Sequence, residues 1–280
     1  MQTVTAIEAL RARIRQWRQA GQRIGFVPTM GNLHAGHLAL MAEAARRCER
    51  VVASIFVNPL QFDEQADLDA YPRTLEADRA RLEEQGIDLL FAPDEATLYP
   101  RGRDAITRVS VTGLDDLLEG AARPGHFIGV ATVVTKLFNC VQPDLAVFGE
   151  KDFQQLLVIR RLVADLDMPV EVLGLPTVRE ADGLAMSSRN QRLSKTQRRL
   201  APALYRELQR LRARILEGNT DYPALEQAAG ASLAEQGFVP DYVAIRDADT
   251  LMPIDDTTRN RVILAAARLG DTRLIDNLRV

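Results

Sequence analysis

The sequence predicts an α/β fold: a Rossmann-like, mainly parallel sheet with helices on both faces, plus a smaller C-terminal α+β domain. Up to about residue 180, short apolar runs alternate with helical patterns, which is the order of parallel strands joined by helical crossovers. After Arg189, two helical patterns precede three strand-like runs, an order typical of an α+β domain. The 280 residues, 46% of them hydrophobic, suffice for two domains of roughly 150 residues. We therefore expect domains at 1–180 and 181–280.

The first domain is predicted to start with a helix between a Thr5 cap and Gly21. The apolar stripe of this helix comprises Ile7, Leu10, Ile14 and Trp17. Buried strands are predicted at 23–29, 51–57, 87–92, 145–148 and 170–173. Helices are predicted along a stripe through Leu38, Met41 and Ala45, and at 74–85, 128–141 and 153–166.

The second domain is predicted to contain an arginine-rich helix at 195–216 and a second helix at 224–236. Its strands are expected at 242–246, 261–267 and 273–278. The segment 59–71 is long and polar, so we expect a mobile loop there that closes over a nearby site.

Charge and composition exclude several classes of protein. With 35 basic and 38 acidic residues, the net charge is -3, so no broad basic surface is expected for nucleic acid. No run approaches the ~20 apolar residues that span a bilayer, and the N-terminus lacks a signal-peptide pattern. Cys48 and Cys140 are too far apart in sequence to suggest a disulfide framework or a zinc site. We expect a cytoplasmic protein that contacts neither membrane nor nucleic acid.

Three common motifs of nucleotide-binding and hydrolytic enzymes are missing. None of the three lysines follows a glycine, as a Walker phosphate loop requires. No two of the 17 glycines are spaced two apart, which excludes the dinucleotide fingerprint. No G-x-S-x-G elbow occurs, so the nucleophile of an α/β-hydrolase is missing.

A histidine pair follows the first strand of the predicted sheet. His34 and His37 lie in the segment 30–37 (MGNLHAGH), at the start of a predicted helix. Gly36 allows close backbone approach, and the helix N-terminus offers N–H groups and a positive dipole end. Two imidazoles there could hold phosphate and donate hydrogen bonds to developing charge. The alternative, a metal site, lacks an obvious third ligand close in sequence.

His-x-Gly-His after a first strand resembles the signature of nucleotidyltransferases and class I aminoacyl-tRNA synthetases. Five further motifs accompany it, at 27–31 (VPTMG), 58–62 (NPLQF), 71–74 (YPRT), 149–155 (GEKDFQQ) and 186–190 (MSSRN). Together they resemble the pantoate-beta-alanine ligase family, also called pantothenate synthetases, through nearly the whole chain. The resemblance implies ATP-dependent condensation of (R)-pantoate with beta-alanine through a pantoyl adenylate, with release of pyrophosphate and then AMP.

The resemblance also implies roles for individual residues. His34, His37 and Lys151 are expected to be catalytic. The implied ATP-binding residues are Pro28, Thr29, Met30, Gly31, His34, Gly36, His37, Gly149, Glu150, Lys151, Asp152, Val178, Met186, Ser187, Ser188 and Arg189. The implied pantoate-binding residues are Asn58, Gln61, Arg123 and Gln155, with Gln61 also near beta-alanine. Mg²⁺ is expected with ATP, Asp152 being its candidate ligand, the C-terminal domain is expected to close over the ATP site, and the family forms homodimers.

The residue types suit these implied roles, but simpler interpretations stay open. Lys151 follows a predicted strand, and its compact charge suits phosphate; a surface lysine is the alternative. Gln61 and Gln155 carry uncharged amides that suit a hydroxy acid, although they could be ordinary polar residues. His126 is equally compatible with a structural and a functional role.

Two other functions stay open at the level of sequence. An adenylyltransferase of the same superfamily would lack an amine substrate, and a nucleotide-binding regulator would lack turnover. Release of AMP distinguishes the ligase from the first, and ATP turnover distinguishes it from the second. A tRNA synthetase does not fit the length, the net charge or the missing anticodon-binding region.

Overall fold

A computed structural model describes residues 1–63 and 65–280 of the chain. Two compact units are present: Met1–Glu150 with Gln155–Pro176, and Lys151–Gln154 with Thr177–Val280. Each unit has its own hydrophobic core. The short segment Lys151–Gln154 belongs to the second unit, although the chain on both sides of it belongs to the first.

The first unit contains a six-stranded sheet in the order β1-β4-β3-β2-β5-β6. Its strands are β1 (Gln2–Val4), β2 (Ile24–Thr29), β3 (Arg50–Ile55), β4 (Leu89–Phe91), β5 (Leu145–Gly149) and β6 (Glu171–Leu175). Every neighbouring pair is parallel. The predicted parallel sheet is therefore confirmed, and β1 is a strand that the sequence did not reveal.

In the described part of the chain, eight helices connect these strands. They are α1 (Ile7–Gln19), α2 (Ala35–Arg47), α3 (Gln65–Asp69), α4 (Leu75–Glu84), α5 (Glu95–Leu98), α6 (Glu119–Ala122), α7 (His126–Val141) and α8 (Phe153–Asp165). Neighbouring residues of β2 point to opposite faces of the sheet. Val27 packs in one core with Ala44 of α2, whereas the Phe26 ring meets Phe138 of α7 at 6.3 Å between centroids. Helices thus cover both faces, as predicted.

The second unit consists of helices and an antiparallel sheet. Its helices are α9 (Lys195–Leu200), α10 (Ala203–Leu216) and α11 (Tyr222–Glu235), and its strands are β7 (Val239–Asp247), β8 (Arg261–Leu269) and β9 (Thr272–Arg279). The strand order is β7-β8-β9, with both pairs antiparallel. Leu204, Leu208 and Leu211 of α10 share one core with Ile263 and Ala265 of β8. This confirms the predicted α+β class.

Three local predictions were wrong. The first helix has Ala6, not Thr5, at its N-cap, and no side chain caps it. The helix expected at 195–216 is divided into α9 and α10, because Pro202 has no N–H to donate inside a helix. The described part of segment 59–71, which was expected to be a loop, contains a 3-10 turn at Pro59–Gln61 and the helix α3; its mobility stays a prediction. Leu68 and Tyr71 are buried there, while Glu64 lies outside the described residues and the gating role stays a prediction.

Helix α7 passes very close to the 3-10 turn Pro59–Gln61. A Cβ atom at Gly129 would lie 2.2 Å from the carbonyl oxygen of Leu60, so only glycine permits this approach. The contact places the first turn of α7 directly against residues 58–61.

No helix formed by residues 1–63 and 65–280 combines the length and the apolar composition needed to cross a bilayer. Cys48 and Cys140 are buried free thiols, and desolvation raises the pKa of both.

Candidate active site

The turn after β2 is held to the neighbouring strand by Thr29. The Thr29 hydroxyl donates to the Ser54 carbonyl at 2.8 Å and accepts from the Gly31 N–H at 3.2 Å. Gly31 and Asn32 then reverse the chain with positive φ values of 81° and 50°. Parallel α/β sheets bind ligands at the carboxyl ends of their strands, and this turn lies at that edge.

His34 and His37 form a reciprocal cap at the N-terminus of α2. The His34 Nδ1 accepts from the Gly36 N–H at 3.2 Å, and the His37 Nδ1 accepts from the His34 N–H at 3.3 Å. The ring centroids are 4.0 Å apart. Because both Nδ1 atoms accept hydrogen bonds, the ring proton of each neutral imidazole resides on Nε2. The pair therefore presents two Nε2–H donors on the ring sides away from these backbone contacts.

The carboxylate of Asp78, on α4, organises the turn that precedes the histidines. Asp78 is fully buried, and its oxygens accept from the Asn32 and Leu33 N–H groups at 2.8 Å each and from the Thr74 hydroxyl at 2.9 Å. A Cβ atom added at Gly31 would lie only 3.0 Å from the Asp78 Oδ2, so the carboxylate packs closely against this glycine. The sequence analysis missed this residue, because nothing near Asp78 in sequence marks a partner 45 residues earlier.

Arg81, one helical turn after Asp78, supports the same turn from its carbonyl side. Its guanidinium donates to the Leu33 carbonyl oxygen. Helix α4 therefore satisfies both N–H and C=O groups of a buried segment that has no strand or helix partner of its own.

Gln61 and Asn58 form a buried amide pair at the end of β3. The Asn58 Nδ2 donates to the Gln61 Oε1 at 3.0 Å and to the Gly129 carbonyl at 3.1 Å. The Gln61 Nε2 faces the Met30 Sδ at 3.1 Å, which brings the motifs at 27–31 and 58–62 together. The Asn58 side chain is thus bonded within the protein, next to the predicted ligand Gln61.

Arg123 and His126 converge on the backbone of Gln61. The Arg123 Nη2 donates to the Gln61 carbonyl at 3.0 Å, and the His126 Nδ1 lies 2.8 Å from the same oxygen. Since a carbonyl only accepts, His126 carries its proton on Nδ1. Arg123 also pairs with Asp63 at 3.4 Å. His126 therefore contacts the backbone of the predicted ligand Gln61.

The turn after β5 carries Lys151, which belongs to the second unit. Gly149 ends β5, and Glu150 begins the 3-10 turn Glu150–Asp152. The Asn277 side chain of β9 donates to the Lys151 carbonyl at 2.9 Å. The Lys151 Nζ lies 3.7 Å from the Asp152 carboxylate. Gln155 follows on the first turn of α8 and is half-buried.

A hairpin in the second unit brings other predicted ATP ligands together. The Met186 N–H donates to the Val178 carbonyl at 3.0 Å, and Ser187 caps the 3-10 turn Ser188–Arg192 by accepting from the Arg189 N–H at 3.2 Å. Val178 lies just before one paired residue of the hairpin, Arg179, and Met186 lies just after the other, Ala185.

Strand β9 anchors that hairpin through a buried ion pair. Arg179 binds Asp276 with two hydrogen bonds, of 2.6 and 2.9 Å, and its Cζ lies 3.6 Å from the Tyr205 ring centroid. Arg179 also donates to the Asn277 carbonyl at 3.3 Å. Adjacent residues of β9 thus hold both the hairpin and the Lys151 turn, a connection that the sequence analysis missed. The polar pair at 276–277, which follows the apolar residues Leu274 and Ile275 of β9, was the available signal.

The described residues contain no group of three or more His, Cys, Asp and Glu side chains placed to hold a metal ion. The structure brings the predicted residues into two sets, each within one unit. The first comprises Pro28, Thr29, Met30, Gly31, His34, Gly36, His37, Asn58, Gln61, Arg123, Gly149, Glu150 and Gln155, and the second comprises Lys151, Asp152, Val178, Met186, Ser187, Ser188 and Arg189.

Comparison with known proteins decides the family. The family model for pantoate-beta-alanine ligase matches residues 2–279. The chain belongs to the pantoate-beta-alanine ligase family. It is 60% identical to the pantothenate synthetase of Thioalkalivibrio sulfidiphilus over 280 residues, covering 100% of this chain and 98% of that protein. It is 59% identical to the pantothenate synthetase of Pseudomonas fluorescens, covering 99% and 97%.

Solved structures of the ligase family have the same fold. The pantothenate synthetase of Thermus thermophilus superposes with a TM-score of 0.92 at 51% identity, covering 99% of both chains. The pantoate-beta-alanine ligase of Francisella tularensis, complexed with beta-gamma ATP and beta-alanine, gives a TM-score of 0.81 at 33% identity, covering 99% of this chain and 97% of that one. The family resemblance inferred from the motifs is confirmed.

Replacing Asp78 should test whether the ligase-family histidines depend on the buried carboxylate. In Asp78→Asn an amide N–H must face the backbone N–H of Asn32 or Leu33, so we expect a loss of about 1–3 kcal/mol in the free energy of unfolding. Displacement of the His34 and His37 donors should slow adenylate formation by about 100-fold.

Asp88→Asn is the matched control for this variant. Asp88 also accepts from a backbone N–H, that of Val51 at 2.8 Å, but at the amino-end edge of the sheet. We expect a similar stability loss with near-normal activity. Equal activity losses in the two variants, measured under conditions where both are folded, would contradict the organising role of Asp78.

Proposed function

We propose that this protein ligates (R)-pantoate to beta-alanine with ATP. In the first step a pantoate carboxylate oxygen attacks the α-phosphorus of ATP, and the bond to pyrophosphate breaks. In the second step the amine nitrogen of beta-alanine attacks the carbonyl carbon of pantoyl adenylate, loses a proton, and AMP leaves. The intermediate is needed because a carboxylate lacks a good leaving group.

The observation that carries this proposal is the His34 and His37 pair. Its Nε2–H donors stand at the N-terminus of α2, whose backbone N–H groups and dipole favour an anion. Such preorganised donors stabilise charge on a phosphoryl group most strongly in the transition state. Gly36 and the backbone of residues 28–31 offer a close approach for the nucleotide.

Pantoate is proposed to bind beside this pair, at Gln61 and Gln155. Gln61 lies next to Met30 and is 9% exposed, so its amide can contact a small ligand while excluding water. The half-buried Gln155 is proposed as a second amide for the hydroxyls or the carboxylate. Asn58 and Arg123, which bond to the side chain and the backbone of Gln61, support this site. Beta-alanine is proposed to bind near Gln61.

The phosphates of ATP are proposed to contact Lys151, Ser187, Ser188 and Arg189. Gly149, Glu150, Val178 and Met186 are proposed to contact the nucleotide mainly through their backbones. Asp152 is half-exposed, with 48% of its side chain accessible, so it suits Mg²⁺, which often takes one or two carboxylates and completes its shell with phosphate oxygens and water. Bound Mg²⁺ would neutralise charge on the phosphates.

We further propose that the protein acts as a homodimer in the cytoplasm, where ATP is available, with the C-terminal unit closing over ATP. Membership of the pantoate-beta-alanine ligase family supports these three proposals. The proposed chemistry does not depend on the oligomeric state.

The half-reactions can be separated by isotope exchange. Pantoate alone should support exchange of labelled pyrophosphate into ATP, because adenylation is reversible and does not involve the amine. Addition of beta-alanine should then release AMP in amounts equal to pantothenate. An exchange reaction that strictly required beta-alanine would contradict a discrete adenylate intermediate.

Lys151 is expected to act through a compact, mobile charge. Lys151→Ala should fold normally and lose about 100-fold in the rate of adenylate formation, as removal of one preorganised donor commonly does. Lys151→Arg should recover little, because the planar guanidinium favours one fixed pair of oxygens. The measurement is single-turnover formation of pantoyl adenylate, with thermal unfolding as a folding control.

Lys195→Ala provides the matched lysine control, since Lys195 is exposed at the start of α9. It should leave the rate unchanged. A near-normal rate for Lys151→Arg would show that net charge alone matters at this position.

A further inference from the structure

Tyr99 is a buried phenol at the C-terminus of α5 with no part in the chemistry described above. It is 2% exposed, and its ring packs edge-on against Phe56, with centroids 5.8 Å apart. The Lys136 Nζ lies 5.9 Å from the ring centroid. Its hydroxyl donates to the Asn58 Oδ1 at 2.7 Å. Burial raises the pKa of Tyr99, so the phenol keeps its proton and acts as a donor.

Two backbone groups and the Tyr99 hydroxyl together determine which way the Asn58 amide faces, and the hydroxyl makes the shortest of the three hydrogen bonds. The Leu60 N–H can only donate, and it lies 3.3 Å from one end of the amide, which must therefore be the oxygen. The Gly129 carbonyl can only accept, and it lies 3.1 Å from the other end, which must be the nitrogen. The Tyr99 hydroxyl adds a second donor to the oxygen. Asn58 thus has one allowed orientation.

The orientation of Asn58 determines that of Gln61. The second N–H of Asn58 points at the Gln61 side chain at 3.0 Å, so the atom that receives it is Oε1. The Gln61 Nε2 must then lie on the opposite side, where it meets the Met30 sulfur. A thioether is a weak acceptor, so this nearly buried N–H₂ group gains a stronger partner whenever a ligand oxygen replaces the sulfur.

We propose that Tyr99 is a positioning residue for pantoate specificity. Acting through Asn58, it holds the Gln61 amide so that donors, rather than the carbonyl, face the carboxylate or a hydroxyl of the hydroxy acid. This inference rests on the proposed pantoate role of Gln61. A rotated amide would present an oxygen to the carboxylate and repel it, so the chain Tyr99–Asn58–Gln61 selects an acceptor-rich ligand.

The test compares ligand affinities of isosteric variants. Tyr99→Phe removes only the hydroxyl, so we expect pantoate to bind about 3- to 10-fold more weakly, with ATP affinity unchanged in calorimetric titrations. Tyr222→Phe, the same change in α11 of the other unit, should alter neither affinity. In a Gln61→Ala background, Tyr99→Phe should cause no further loss of pantoate affinity, since its effect passes through Gln61.

Asn58→Asp provides a second route if Tyr99→Phe folds poorly. It keeps the shape but sets an oxygen against both the Gln61 Oε1 and the Gly129 carbonyl. The Gln61 amide is then no longer held in its orientation, so pantoate affinity should fall by about 10-fold or more without loss of ATP affinity.

Unchanged pantoate affinity in Tyr99→Phe or Asn58→Asp, equal losses for both ligands, or a full additional loss in the double variant would each overturn the inference. If Gln61→Ala still weakens pantoate binding, any of these results would overturn only the role of Tyr99 and would leave the proposed function standing. Unchanged pantoate affinity in Gln61→Ala would instead overturn the proposed role of Gln61 and the inference together.

Discussion

A single buried carboxylate sets the conformation on which the candidate active site depends. Asp78 accepts two backbone N–H groups of the turn after β2, and burial of an ionisable group is tolerable only with such partners. The turn must reverse the chain within a few residues so that α2 starts with His34 in its capping position. The Nε2 protons of both histidines follow from that geometry, because their Nδ1 atoms are engaged by the same helix start.

The same principle recurs at Gln61 and at the Lys151 turn. Gln61 is held by the Asn58 amide on its side chain and by Arg123 and His126 on its carbonyl. The Lys151 turn is held by Asn277. In each case a polar group that would be costly to bury alone is satisfied by a fixed partner. In the first unit, the half-buried rings of His34 and His37 and the buried Gln61 amide are thus positioned by hydrogen bonds to fixed polar groups, which suits electrostatic catalysis.

The sequence predicted the elements and the ligand candidates better than it predicted their supports. The alternation of strands and helices and the motif around His34 and His37 are local sequence patterns, so they can be recognised without knowing which distant residues come into contact. Asp78 and Tyr99 could not be identified, because their partners lie 41 to 46 residues away and meet them only across the sheet edge. The short helix α3 has too few residues for a periodic pattern. Pro202, by contrast, was a visible signal for a helix break, obscured by the arginine-rich stripe that continues past it.

Hydrogen exchange of the unliganded protein tests the role of Asp78 most directly. The Asn32 and Leu33 amides lie outside every helix and strand, yet the carboxylate engages both. The account predicts that they exchange about as slowly as the amides of β2, since release requires opening of the buried core. Exchange as fast as that of exposed turn residues such as Thr112 and Gly113 would contradict it, because the turn would then not be held before substrates bind.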